Sequence, residues 1–242
     1  PRNKVSNIFW VILPLLIIIL PVLMVLRQPD LGTALLILVG GLTVMFIAGV
    51  SWIYFLISGL GVFTFVFSIF HFRGTEFQIL KNYQYRRIDT FLDPANDPLG
   101  AGYHITQSKI ALGSGGFSGR GFMQGTQSRL NFLPEKHTDF IFTTLAEEFG
   151  FIGGLSLLGL YFLMIIFCGI VAFGSKDRYS GLVVSGLNMT FFLYFAVNMA
   201  MVMGMLPVVG VPLPLVSYGG SAMFVLMIAF GLIQSAAIHK AR

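Results

Sequence analysis

Apolar residues dominate six stretches of this 242-residue chain, at 8–26, 31–49, 52–72, 139–173, 182–203 and 217–238. Most are near the length at which a helix rising ~1.5 Å per residue crosses ~30 Å of hydrocarbon. The short alternating strands of a membrane barrel are absent from the pattern. The pattern predicts an all-α, polytopic membrane protein with about six transmembrane helices. A single large structured loop, 73–138, separates the third from the fourth.

Punctuation along the chain refines these elements. Pro14 and Pro21 predict a kinked first span, which neighbouring helices can support inside a membrane. Asp30 stands where a cap for the second helix belongs, and Gly40-Gly41 at its centre suits close helix packing. The 139–173 stretch is too long for one simple crossing at ~1.5 Å per residue. Gly150 and Gly153-Gly154 mark where its lipid-embedded part should start. Residues 205–215 are apolar yet interrupted by Pro207, Pro212 and Pro214. They are too few to span, so they must be buried in protein or line a wet cavity.

The loop is where polarity concentrates. Residues 73–139 hold eight of the fifteen Lys/Arg and six of the ten Asp/Glu residues. Asp93-Pro94, Asp97-Pro98 and the glycine-rich run Gly113–Gly125 predict turns through much of it rather than helix. Interleaved Tyr83, Tyr85, Phe91, Tyr103, Phe117 and Phe122 argue against disorder. Arg2 and Lys4, Lys176 and Arg178, and Lys240 and Arg242 all fall on one side, which the positive-inside rule makes cytoplasmic. The loop then faces outward, its own charges being outside that rule's reach beyond ~60 residues.

Composition confirms the class and narrows the chemistry. Hydrophobic residues make up 56% and charged residues 10%, with a mean hydropathy of +0.84. Cys168, the sole cysteine, lies in an apolar run, so neither an internal disulfide nor a thiolate metal site is expected. The net charge of +5 reads as orientation signal at helix ends rather than a nucleic-acid footprint. The chain opens at Pro1 without a signal-peptide pattern and reads as a piece of a longer protein.

Ionisable residues cluster where the loop ends and the fourth apolar stretch begins. Glu135, Lys136, His137 and Asp139 lie within five residues of one another. A carboxylate at Asp139 would open a helix, held ionised by the helix dipole and ready to accept a proton or a metal. A plain helix cap made by Thr138 and Asp139 is the competing reading. Thr143 and Glu147 continue the same helical face, and Glu147 and Glu148 suit structural pairing ahead of direct chemistry.

Two further stretches could meet an anion. Gly113–Gly121 could turn backbone N–H groups and the Arg120 guanidinium toward a phosphate, although a plain flexible loop explains it more simply. Ser217, Tyr218, Gly219 and Gly220 open the last helix, whose N–H groups could do the same, or simply make a tight helix start. Asp93, Asp97, Glu135, His137 and Asp139 are the conceivable metal ligands. A loosely held Mg²⁺ or Mn²⁺ bridging a diphosphate needs only one or two carboxylates, so spacing leaves it open.

Several motifs together carry a resemblance. Arg27-Gln28-Pro29-Asp30-Leu31-Gly32-Thr33, Asp97-Pro98-Leu99-Gly100-Ala101-Gly102-Tyr103-His104 and Gly125-Thr126-Gln127-Ser128 come first along the chain. Leu133-Pro134-Glu135-Lys136-His137-Thr138-Asp139-Phe140 and Pro212-Leu213-Pro214-Leu215-Val216-Ser217-Tyr218-Gly219-Gly220-Ser221 follow. The whole chain, as one domain, resembles the SEDS family of shape, elongation, division and sporulation proteins, and within it the elongation branch. The resemblance implies a peptidoglycan glycosyltransferase of the bacterial inner membrane that polymerises lipid II beside a class B penicillin-binding protein and other elongation-complex proteins. It implies inversion at the anomeric carbon and an undecaprenyl diphosphate leaving group. The family's essential loop aspartate falls on Asp139. Members have about ten spans, so this chain resembles their C-terminal part. A lipid II flippase and a non-catalytic scaffold for the transpeptidase are the rival functions.

Overall fold

The computed structural model describes residues 8–28, 30–75, 78, 82–93, 100–129 and 137–239. Nine helices lie within them: α1 (Ile8–Leu26), α2 (Leu31–Ile47), α3 (Trp52–His71), α4 (Asn82–Leu92), α5 (Ala101–Ser114), α6 (Thr126–Arg129), α7 (Ile141–Gly174), α8 (Arg178–Val202) and α9 (Gly220–Ile238). No strand occurs among the described residues, so the all-α expectation holds. Each of the six expected apolar stretches is helical. Four of them, α3, α7, α8 and α9, are long and apolar enough to cross a membrane, while α1 and α2 are apolar and shorter. Arg2, Lys4, Lys240 and Arg242, on which part of the orientation argument rests, lie outside the described residues.

Local chemistry starts the helices as the residue types dictate. Asp30 caps α2 by accepting from Thr33 N at 3.0 Å and Thr33 Oγ1 at 2.6 Å. Asp177 does the same for α8, accepting from Ser180 N at 3.0 Å and Ser180 Oγ at 2.9 Å. Those hydrogen bonds hold the exposed Asp177 carboxyl below the ordinary carboxylate range.

Packing centres on α8, which touches α2, α5, α7 and α9. Gly40 lets α2 approach α8 at Thr190, and Gly41 lets Ile18 of α1 lie against the α2 backbone. The main core gathers Phe140, Phe142 and Ala146 at the head of α7 with Phe191, Met199, Met201 and Val202 of α8 and Leu213 of the proline-rich segment. Tyr161 of α7 stacks on Phe195 and donates its hydroxyl to Pro214 O. The remaining helix faces carry large apolar side chains outward, as a bilayer solvent requires.

The loop is more helical than its Asp-Pro and glycine content predicts. Helix α5 buries Ile105, Ser108 and Ala111, a three-residue spacing that puts one stripe against α7 and α8. Ser108 Oγ donates to Val202 O at 2.8 Å and lies 3.1 Å from Thr143 Oγ1, both side chains fully buried. Helix α4 is held to the end of α3 by Tyr85, whose hydroxyl donates to Ile69 O at 2.8 Å. The Arg73 guanidinium lies over the Tyr85 ring and forms a two-pronged ion pair with Asp89. Turn signals are local; these tertiary contacts outweigh them between the turns.

Candidate active site

Asp139 does not open the fourth apolar helix. Residues 137–140 form a turn, α7 begins at Ile141, and Phe140 occupies the cap position with no side-chain cap bond. Tertiary contacts hold the turn instead. Three successive backbone carbonyls each accept a donor from outside the loop. His137 O accepts from Tyr218 N at 2.9 Å, Thr138 O from Ser217 Oγ at 2.6 Å, and Asp139 O from Asn198 Nδ2 at 2.8 Å. The half-buried Asp139 carboxylate faces Gly210, where an added Cβ would lie 3.6 Å from Oδ2.

The partner segment is built to match. The 205–216 stretch is non-helical, and Val211 and Leu213 within it are buried, so the expectation that it packs inside protein is met. Its backbone groups find side chains. Val211 O accepts from Asn198 Nδ2 at 2.6 Å, and Leu213 N donates to Ser217 Oγ at 2.7 Å. Ser217 thus spends its hydroxyl on two backbone groups, and its role is to join the segment to the turn.

Beside the turn lies an open cleft of about 720 Å³ lined by His137, Ile141, Ser217, Tyr218, Gly219 and Gly220 among others. His137 and Tyr218 are exposed there. The structure therefore brings His137, Ser217, Tyr218, Gly219 and Gly220 to one wall, with Asp139 two residues behind it. A smaller, apolar hollow of about 370 Å³ between α8 and α9 shares Ser217 and Met223 with the cleft. Glu135 and Lys136, expected as supporting groups, lie outside the described residues, as does Asp97. Among the described residues no group of three or more His, Cys, Asp or Glu side chains is placed to hold a metal.

Arg120 and the glycine-rich run belong to a different structure. Helix α7 breaks at Gly150, whose φ of 67° and ψ of −161° only glycine adopts readily. A break orphans backbone groups on both sides. The run supplies their partners. Arg120 N and Gly121 N donate to Glu147 O and Glu148 O at 3.1 and 3.0 Å, and Phe151 N and Ile152 N donate to Gly116 O and Phe117 O at 2.9 and 3.2 Å. The run is thus a structural partner of α7 rather than a plain flexible loop. The N–H groups of residues 120 and 121 are already spent on α7. Arg120 itself donates to Ser114 O and Thr126 Oγ1.

Glu147 is fully buried beside this splint. Its Oε1 accepts from Gln127 N at 3.0 Å and Thr126 Oγ1 at 3.1 Å, the structural pairing expected of it. Glu148 makes no ion pair with a described residue. Asn198 is the functional-site residue that sequence reading missed. Two asparagines, Asn188 and Asn198, in an otherwise apolar helix were the available signal, since a buried amide is costly unless bonded.

Comparison with known proteins fixes the family. Residues 2–242 match the FtsW/RodA/SpoVE model, described as cell cycle protein. The chain belongs to this family. It is 49% identical over 226 residues to the peptidoglycan glycosyltransferase MrdB of Escherichia coli K12, covering 93% of this chain and 60% of that protein. It is 48% identical over 158 residues to the peptidoglycan glycosyltransferase RodA of Treponema pallidum, covering 65% of this chain and 36% of that one. Among solved structures, a chain from a peptidoglycan synthase complex coordinating polymerization and crosslinking aligns over all of this chain and 67% of its own. The TM-score is 0.80 at 29% identity. The rod shape determining protein RodA of Thermus thermophilus aligns with a TM-score of 0.63 at 25% identity, over all of this chain and 62% of its own. Family membership and the apolar helices together make this a multi-pass membrane protein. It spans about three fifths of the length of the Escherichia coli relative.

Proposed function

We propose that this chain is the catalytic part of a peptidoglycan glycosyltransferase that polymerises lipid II during cell elongation, with Asp139 as general base. The observation that carries the reading is the Asp139 turn. In a family whose relatives bear that activity in their names, a carboxylate sits on a turn held at three consecutive carbonyls, beside an open cleft.

The chemistry follows from that placement. Asp139 takes the proton from the 4-hydroxyl of the acceptor sugar as that oxygen bonds to the donor's anomeric carbon. The bond from that carbon to the diphosphate breaks with inversion, and undecaprenyl diphosphate leaves with the electron pair. The departing charge must be met at the cleft. No Lys or Arg lines the cleft among the described residues, which leaves the N–H groups of α9 and Lys136. A Mg²⁺ or Mn²⁺ would have the Asp139 carboxylate as its protein ligand on the described turn, Glu135 lying outside the described residues. When bound, such an ion neutralises the leaving group. The apolar hollow beside the cleft suits the same amphipathic substrate.

In this reading the protein lies in the bacterial inner membrane with the cleft outside. Its partners are a class B penicillin-binding protein, which cross-links the strands it makes, and other elongation-complex proteins. The test is strand synthesis from purified lipid II by the full-length protein. Asp139→Asn should lower the rate by at least about a thousandfold without loss of folded protein. A wild-type rate in that variant sinks the reading. A flippase would make no polymer at all from detergent-solubilised lipid II, and a scaffold would tolerate the change.

A further inference from the structure

The geometry assigns Asn198 as the positioning residue of the Asp139 turn, an inference that rests on Asp139 being the general base. Asn198 lies on α8, 59 residues along the chain from Asp139, and is fully buried. Its amide has two hydrogens and both are used. One goes to Asp139 O at 2.8 Å and the other to Val211 O at 2.6 Å. A single side chain thereby ties the backbone of the proposed base to the proline-rich segment whose Gly210 faces the base's carboxylate.

The turn lies ahead of α7, so helix hydrogen bonding fixes it only through Phe140 O, which accepts from Thr143 N at 3.0 Å. The bonds from Tyr218 N and Ser217 Oγ hold the carbonyls of residues 137 and 138, and the Asn198 bond holds that of residue 139. Leucine in its place would strand two buried carbonyls without donors. The peptide planes at Asp139 and Val211 would each lose that restraint, and the position set for the carboxylate would loosen with it. Asn198 touches no reacting atom in this account; it acts through Asp139.

A positioning role and a packing role make different predictions for the full-length protein assayed on purified lipid II, with rates taken per folded molecule. Asn198→Leu fills a similar volume with no donor. It should lower kcat by between about tenfold and a hundredfold with KM within about twofold of wild type. Asn198→Gln keeps both donors and should retain at least about a third of the wild-type kcat. If the leucine variant does not fold, Asn198→Asp replaces it, the same shape with at most one donor, judged by the same thresholds. Wild-type kcat in the donor-free variant, a loss confined to KM, or equal losses in the Gln and Leu variants would each overturn the assignment. Asp139→Asn, run alongside, separates the two ideas. Its inactivity beside an unaffected Asn198→Leu overturns the positioning role alone, and its full activity removes the base and the positioning role together.

Discussion

Two stretches of non-helical backbone lie at either end of the first three turns of α7, and they are stabilised in opposite ways. At 137–139 the orphan carbonyls are met by donors from α8 and from the start of α9, two of the three being side chains. At 147–152 the orphan groups are met by the backbone of the glycine-rich run, which lies against α7 like a splint. A backbone splint needs close approach and little else, so its demands fall on glycine. A side-chain clamp needs particular functional groups at particular places. The first stabilises shape and the second sets the position of the Asp139 turn, proposed above to carry the general base.

The sharpest way to break the comparison is to put a methyl group into the splint. A Cβ at Gly150 would lie 2.2 Å from Gly119 N, and one at Gly119 would lie 2.1 Å from Glu148 O. Both positions also have positive φ. Gly150→Ala should cost about 3 kcal/mol or more and cut the monodisperse fraction in size-exclusion chromatography of the detergent-solubilised protein. A wild-type profile would mean that loop and helix are not in contact. Next in size is Ser217→Ala, which leaves Thr138 O and Leu213 N without this partner. It should lower the thermal midpoint by the equivalent of about 1–3 kcal/mol and reduce polymerisation severalfold. A change in stability with no change in rate would make the clamp another splint.

The smallest effect belongs to the exposed Arg73–Asp89 pair, which adds a charge-assisted restraint on α4 to the Tyr85 bond. Hydrogen bonding from Arg73 holds the Asp89 carboxyl below its ordinary value of 3.8, and the pair raises Arg73 in turn. A depressed carboxyl contributes stability above that ordinary value and loses it as pH falls through the lowered folded value. Hydrogen exchange in α4 should therefore quicken only in strong acid or high salt, and Asp89→Asn should leave polymerisation within about twofold of wild type. Quickening near neutral pH would contradict the assignment.

The splint was half legible in the sequence and the clamp was not. Gly150 and the run from Gly113 to Gly125 are visible as glycines, and the overlong apolar stretch requires a break near Gly150. What the residues could not say is that the run and the break are partners, because backbone hydrogen bonds leave no side-chain signature. Arg120 was read with its guanidinium and the neighbouring N–H groups acting together; the structure shows that the N–H groups of residues 120 and 121 serve α7. Asp30 was readable as a cap position because capping is local. Helices α4 and α5 were under-read because Asp-Pro and glycine signals were allowed to speak for the residues between them. The Asp139 cluster stood out by charge in an apolar chain. Asn198 and Ser217, which hold it, are uncharged and 59 and 78 residues away.

The four-sided packing of α8 has a mechanical meaning. Because the Asp139 carbonyl is bonded to a side chain of that helix, the turn travels with α8, and α8 cannot slide without disturbing α2, α5, α7 and α9. A protein that leans on any of these helices from within the bilayer has its hand on the Asp139 turn, with no need to touch it.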